Sequence, residues 1–169
     1  MRIKSILVFF FVALALSIVL GQIEESNYGF KFKNITVAEG LSNTSVSSIC
    51  QDQHGFIWIG TRDGLNRFNG IEFEIFKEDL SDSTSISHNW IRDVLVDRDG
   101  SLWIATLHGL NQYTEDTGFQ KYFNIKGDST SLTDNNIFSL LEARNGDLWI
   151  ATRSGLNYFS KQNQQFKQF

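Results

Sequence analysis

The chain has 169 residues, a formal charge of −4 and a 41% apolar share, which suits about one packed domain. So mild an acidic balance gives no support to nucleic-acid binding, which needs a basic face, and one cysteine, Cys50, excludes an internal disulfide or a cysteine metal cluster. Proline is absent, so Gly, Asn, Asp and Ser must shape the loops.

Arg2 and Lys4 precede an apolar run from Ile6 to Leu20, and Gly21-Gln22 and Glu24-Glu25 follow it. A basic start, a short apolar middle and a small exit residue make 1–21 a secretory signal, with cleavage at Val19-Leu20-Gly21. The other reading is an uncleaved N-terminal membrane anchor, for which the run is short. Either sends the remaining chain out of the cytoplasm, to the periplasm. In residues 22–40, Tyr28, Phe30 and Phe32 alternate with Gly29, Lys31 and Lys33. That period of two predicts a strand over 28–34 with one buried face.

A unit centred on tryptophan then occurs three times. Trp58, Trp103 and Trp149 lie 45 and 46 residues apart; Gly55, Gly100 and Gly146 keep the same spacing, as do Gly64, Gly109 and Gly155. Each unit divides into four short strands, which in the first copy are 46–51, 56–60, 65–68 and 73–76. His54-Gly55, Asp99-Gly100 and Asn145-Gly146 stand between strands one and two, where such pairs favour tight hairpins. The Ser-, Asp- and Thr-rich segments 78–85 and 124–131 read as surface loops between units.

A four-stranded antiparallel sheet cannot bury both faces alone; copies stacked around an axis can, as blades of a β-propeller. The expectation is an all-β partial propeller with blades at 41–77, 86–123 and 132–169, plus the extra N-terminal strand, which would close a ring. The recurring tryptophans would fill the gaps between blades. Three blades fall short of the four a propeller needs, so the chain reads as a fragment of a longer protein or a truncated product, with an uncovered face that lowers solubility.

Gly55-Phe56-Ile57-Trp58-Ile59-Gly60-Thr61 with Gly64-Leu65-Asn66, repeated at Gly100 and Gly146 and preceded by entries such as Leu41-Ser42-Asn43, resembles the two-component regulator propeller repeat. The opening Phe32-Lys33-Asn34-Ile35-Thr36-Val37-Ala38-Glu39-Gly40 resembles the start of the sensor half of hybrid two-component systems of Bacteroidetes. The resemblance covers 28–169. It implies a periplasmic sensor in which two seven-bladed propellers and a further β domain precede a membrane helix and a cytoplasmic histidine kinase, with oligosaccharides as ligands. The parent would be anchored in the inner membrane, and a homodimer is a further expectation. These residues hold no phosphoacceptor motif or ATP-binding box, so kinase activity would belong to the parent, and the chain itself is expected to be no enzyme.

Catalytic chemistry is hard to find. His54, His88 and His108 each stand at a turn without shared metal spacing. Asp97-Arg98-Asp99-Gly100 resembles part of a calcium loop but lacks the acidic spacing and terminal Glu; it also resembles the structural Asp-box turn of sialidases. No cofactor or metal is expected, and Cys50 in its apolar run reads as a buried thiol. Positions that differ between copies are free for recognition. The loop after strand two reads Arg62-Asp63, Leu107-His108 and Arg153-Ser154, and the entry loop is aligned as Thr44, Trp90 and Asn136. Arg62, His88, Trp90, His108 and Arg153 are therefore the candidates for a ligand-facing side, with the Trp90 indole as a ring to stack on a sugar or, alternatively, to pack on a neighbouring strand. A propeller enzyme of the lyase type and a secreted protein-interaction module are the competing readings.

Overall fold

Alternation of side chains along short strands, with a turn residue every few positions, folds each repeat into one antiparallel sheet. The computed structural model describes residues 32–169; the expected signal segment, and residues 28–31 of the expected first strand, lie outside them. Residues 32–36 have no regular secondary structure, and a 3-10 turn follows at Val37–Glu39, capped by Thr36 and Glu39. Ile35–Phe169 make one compact unit. It contains β1 (Val46–Gln51), β2 (Ile57–Thr61), β3 (Gly64–Phe68) and β4 (Phe73–Phe76) in blade 1; β5 (Ile91–Val96), β6 (Leu102–Thr106), β7 (Gly109–Thr114) and β8 (Gly118–Tyr122) in blade 2; and β9 (Ile137–Glu142), β10 (Leu148–Thr152), β11 (Gly155–Ser160) and β12 (Gln165–Gln168) in blade 3. Each blade is a meander with strands paired in sequence order. No helix among the described residues is long and apolar enough to cross a membrane.

The hairpin between first and second strands differs from the tight two-residue turn read from the sequence. His54, Asp99 and Asn145 do not adopt positive φ; only the glycine after each does, at 88°, 85° and 91°. Gly55 N donates to Asp52 O, and Asp52 N donates to Phe56 O. This is a three-residue loop with a left-handed glycine, and Asp97–Ser101 and Ala143–Asp147 repeat it. The aspartate at its head also has a second job. Trp58 Nε1 donates to Asp52 Oδ2 and Trp103 Nε1 to Asp97 Oδ2, both at 2.8 Å. A buried indole N–H is thereby satisfied. Blade 3 has Ala143 at this place.

Every blade carries the same internal lock. Asn66 Oδ1 accepts from Ser42 N, while its Nδ2 donates to Ser42 Oγ and to Ile59 O. Asn111 with Ser87, and Asn157 with Thr133, repeat the pairing. The three asparagines are fully buried, so their hydrogen bonds must be complete, which explains why Leu-Asn recurs.

The core lies between blades. Trp58 and Leu65 of blade 1 meet Ile91, Val94, Leu102, Ile104 and Phe119 of blade 2. Trp103 and Leu110 of blade 2 meet Ile137, Leu140, Leu148, Ile150 and Phe166 of blade 3. Trp149, with no described blade beyond it, packs on Tyr158 and Phe169 of its own sheet. Ion pairs seal both seams: Arg67 to Glu115 across the first, and Lys161 to Asp97 and Asp99 across the second. Burial would raise the Asp97 carboxyl, but the bonds from Lys161, Trp103 and Ser101 outweigh it and hold the group below its ordinary value.

Candidate functional site

The first strands β1, β5 and β9 stand side by side at the inner edge of the three sheets. Each has a β-bulge in the same place, at Ser47, Arg92 and Phe138, where the register against the second strand slips by one residue. A bulge redirects side chains that a regular strand would send into the core. Here the bulged residues stand beside the entry loops, on the face that also bears the loops after β2, β6 and β10.

On that face four side chains form a column across the blades. The Arg62 guanidinium of blade 1 lies 5.1 Å from the Trp90 ring centre, Arg92 lies 4.7 Å from the same indole, and Arg92 also lies 5.3 Å from the Phe138 ring of blade 3. Cations held on ring faces at such distances are attracted by the ring quadrupole, by about 0.5–2 kcal/mol each. Arg92 is half-buried and Phe138 is 46% exposed. Arg92 Nε and Asn136 Oδ1 are buried without a hydrogen-bond partner among the described residues.

The other candidates lie elsewhere. His88 Nδ1 accepts from Trp90 N at 2.9 Å, the task that Asn43 and Asp134 perform for Ser45 and Asn136; it caps the entry turn. The His108 ring packs 5.5 Å from Phe123. Arg153 is exposed at the open end of blade 3, in the position from which Arg62 reaches the next blade. Backbone pairing also corrects an equivalence. Arg62 N donates to Ser45 O, Leu107 N to Trp90 O and Arg153 N to Asn136 O, so Trp90 replaces Ser45 of blade 1, not Thr44. Arg92 and Phe138 were missed because the first strand was read as regular; the available signal was the change from Ser47 to Arg92 to Phe138 at one place in the three copies.

Two further places have titratable groups. Asp93 reaches across the inner strands: Oδ1 accepts from Ser48 Oγ and Val94 N, and Oδ2 from Ser139 Oγ and Leu140 N. Its four acceptor positions are filled, which makes it a tie between blades. On the opposite face a cleft of about 460 Å³ lies between blades 1 and 2, lined by residues including Asp52, Phe56, Arg67 and Tyr113. Arg67 there is stacked on Phe56 and Trp58 and paired with Glu74 and Glu115, so its charge is already matched. Burial pushes the Cys50 thiol up to about 11, leaving it protonated at neutral pH.

Residues 40–63, 85–108 and 131–154 match the family model described as two component regulator propeller. The chain carries three two-component regulator propeller repeats. Each matched segment runs from the entry loop to the loop after the second strand, and so contains the turn aspartate or its replacement, the tryptophan and the bulge. Histidine kinase P4 of Formosa agariphila is 45% identical over 83 residues, which are 49% of this chain and 6% of that protein. The extracellular domain of a putative hybrid two component system from B. thetaiotaomicron superposes with a TM-score of 0.76 at 34% identity, over 81% of this chain and 20% of that one. Virginiamycin B lyase from Staphylococcus aureus, at 14% identity and a TM-score of 0.56 over 75% of this chain and 41% of the lyase, shares the fold alone. The chain thus spans a small part of the length of these two-component relatives.

Proposed function

We propose that this chain is a ligand-sensing propeller segment of a two-component signalling system, acting in the periplasm, and that its ligand is an oligosaccharide. The three repeats and the extracellular two-component domain of similar structure support this reading. The observation that carries it is the column of Arg62, Trp90, Arg92 and Phe138, which gathers residues that vary between repeats onto one face from three blades. Binding, not catalysis, is the role of these residues, and the kinase would lie in the parent protein, joined to this segment through further blades. A lyase-type enzyme has weaker support: the lyase likeness is one of fold, and Asp93 at the inner strands has no free acceptor position. Glycan-array screening of the chain, followed by calorimetry on the hits, tests the proposal. Trp90→Ala should weaken binding by about tenfold or more; unchanged binding, or no glycan bound at all, would remove it.

A further inference from the structure

We propose that the ligand of this face carries an anionic group, a carboxylate or a sulfate, received by Arg92, with Arg62 held on the same Trp90 indole. This rests on the sensing role above and adds the chemistry of the ligand.

Three observations lead there. First, Trp90 already holds two guanidinium groups, at 5.1 Å and 4.7 Å. What this face presents to a ligand is therefore a pair of cations steadied by an indole. Second, neither cation has a carboxylate partner among the described residues, although Arg67 and Arg98 elsewhere do. The acids nearby are engaged: Asp63 with Lys77 at 2.7 Å, and Asp93 with its four donors. Third, Arg92 Nε is a buried donor without an acceptor, and Asn136 Oδ1 is a buried acceptor without a donor. Groups left in that condition carry the full penalty of lost hydration. An oxyanion is the complement that a guanidinium without a carboxylate partner lacks. Guanidinium presents a planar fork that fits carboxylate and sulfate oxygens, and its charge is local in a chain whose formal charge is −4.

The test is calorimetry of the purified full chain with three tetramers of equal length: β-1,4-linked glucose, β-1,4-linked glucuronate and sulfated β-1,4-linked glucose. The inference expects one acidic tetramer to bind about tenfold or more tighter than the neutral one, with affinity falling as salt rises. A preference for glucuronate identifies a carboxylate, and a preference for the sulfated sugar a sulfate. Arg92→Met should bring acidic and neutral tetramers to near parity; the thermal midpoint falls modestly with the two lost ring contacts, so the change in preference is the deciding readout. A purely structural arginine would instead leave the preference for the acidic tetramer unchanged. Equal or tighter binding of the neutral tetramer, unaffected by Arg92→Met but lost in Trp90→Ala, overturns this inference and leaves the sensing role standing. Binding of none of the three overturns this inference, while the sensing role stands or falls with the glycan array.

Discussion

Leu110 and Leu156 hold the same place in consecutive blades, opposite Tyr122 and next to Phe169 respectively, yet Leu110 is fully buried and Leu156 is 40% exposed. The difference runs across the whole face. Leu95, Trp103, Leu110 and Tyr122 of blade 2 pack on blade 3, whereas Leu141, Leu156 and Phe169 of blade 3 are open, Phe169 at 60%. The first blade shows the reverse face in the same condition: Val46 and Ile49 are exposed where Ile91 and Val94 are buried. Near-identical sequences thus give a dry or a wet surface according to the neighbour. The apolar residues of a blade belong to its contacts with other blades, and hydrogen bonds from Asn, Ser and Thr hold the single sheet together.

The sharpest way to break this comparison is to truncate the two equivalent indoles. Trp103→Ala should cost about 3–5 kcal/mol in urea or thermal unfolding, and Trp149→Ala less than about half of that; equal losses would mean that the blades, not the seams, hold the core. Next comes the ion pair at the second seam. Lys161→Met leaves Asp97 buried with its charge unmatched, and should cost about 1.5–3 kcal/mol, with hydrogen exchange rising first in β6 and β10. The pH dependence sharpens the same point. Asp97 is held below the ordinary carboxylate value of 3.8, so its contribution is present above that value and disappears as the pH falls through the lower folded one. The thermal midpoint should be level near neutral pH and drop as the pH approaches and passes below 3.8, with a shallower drop in Lys161→Met. Asp79, Asp82 and Asp128, held low by bonds from Ser81, Thr84 and Thr130, keep part of the acid sensitivity in that variant. Smallest is Leu156→Gln, which should change stability by no more than about 0.5 kcal/mol and raise solubility, while the same substitution at Leu110 unfolds the second seam.

Most of the fold was written in the chain, because turn glycines and alternating side chains are local signals. The strands read at 46–51 and 73–76 are those observed, and 56–60 and 65–68 differ by a residue at their ends. The recurring Thr and Asn were legible as scaffold; their partner Ser42 lies 24 residues from Asn66, too far for periodicity to connect them. Less of the candidate face could be read. Arg62 and Trp90 stood out as differences between copies, and they do meet. Arg92 and Phe138 did not, since a bulge leaves no mark in composition. The one-residue error over Thr44 came from aligning the entry loops by their residue types, when the backbone bonds from the loop after the second strand set the true correspondence.

The extra residue in each inner strand has an evolutionary meaning. Ser47, Arg92 and Phe138 share one position and have nothing else in common, one hydroxyl, one cation and one ring. The slip in register sets that position beside the entry loops, so a codon change there alters the recognition face at a small cost to the seam, such as the bond from Ser47 Oγ to Ile91 O of the next blade. A chain assembled by duplicating such units can therefore diversify its specificity one blade at a time, without refolding anything it has already built.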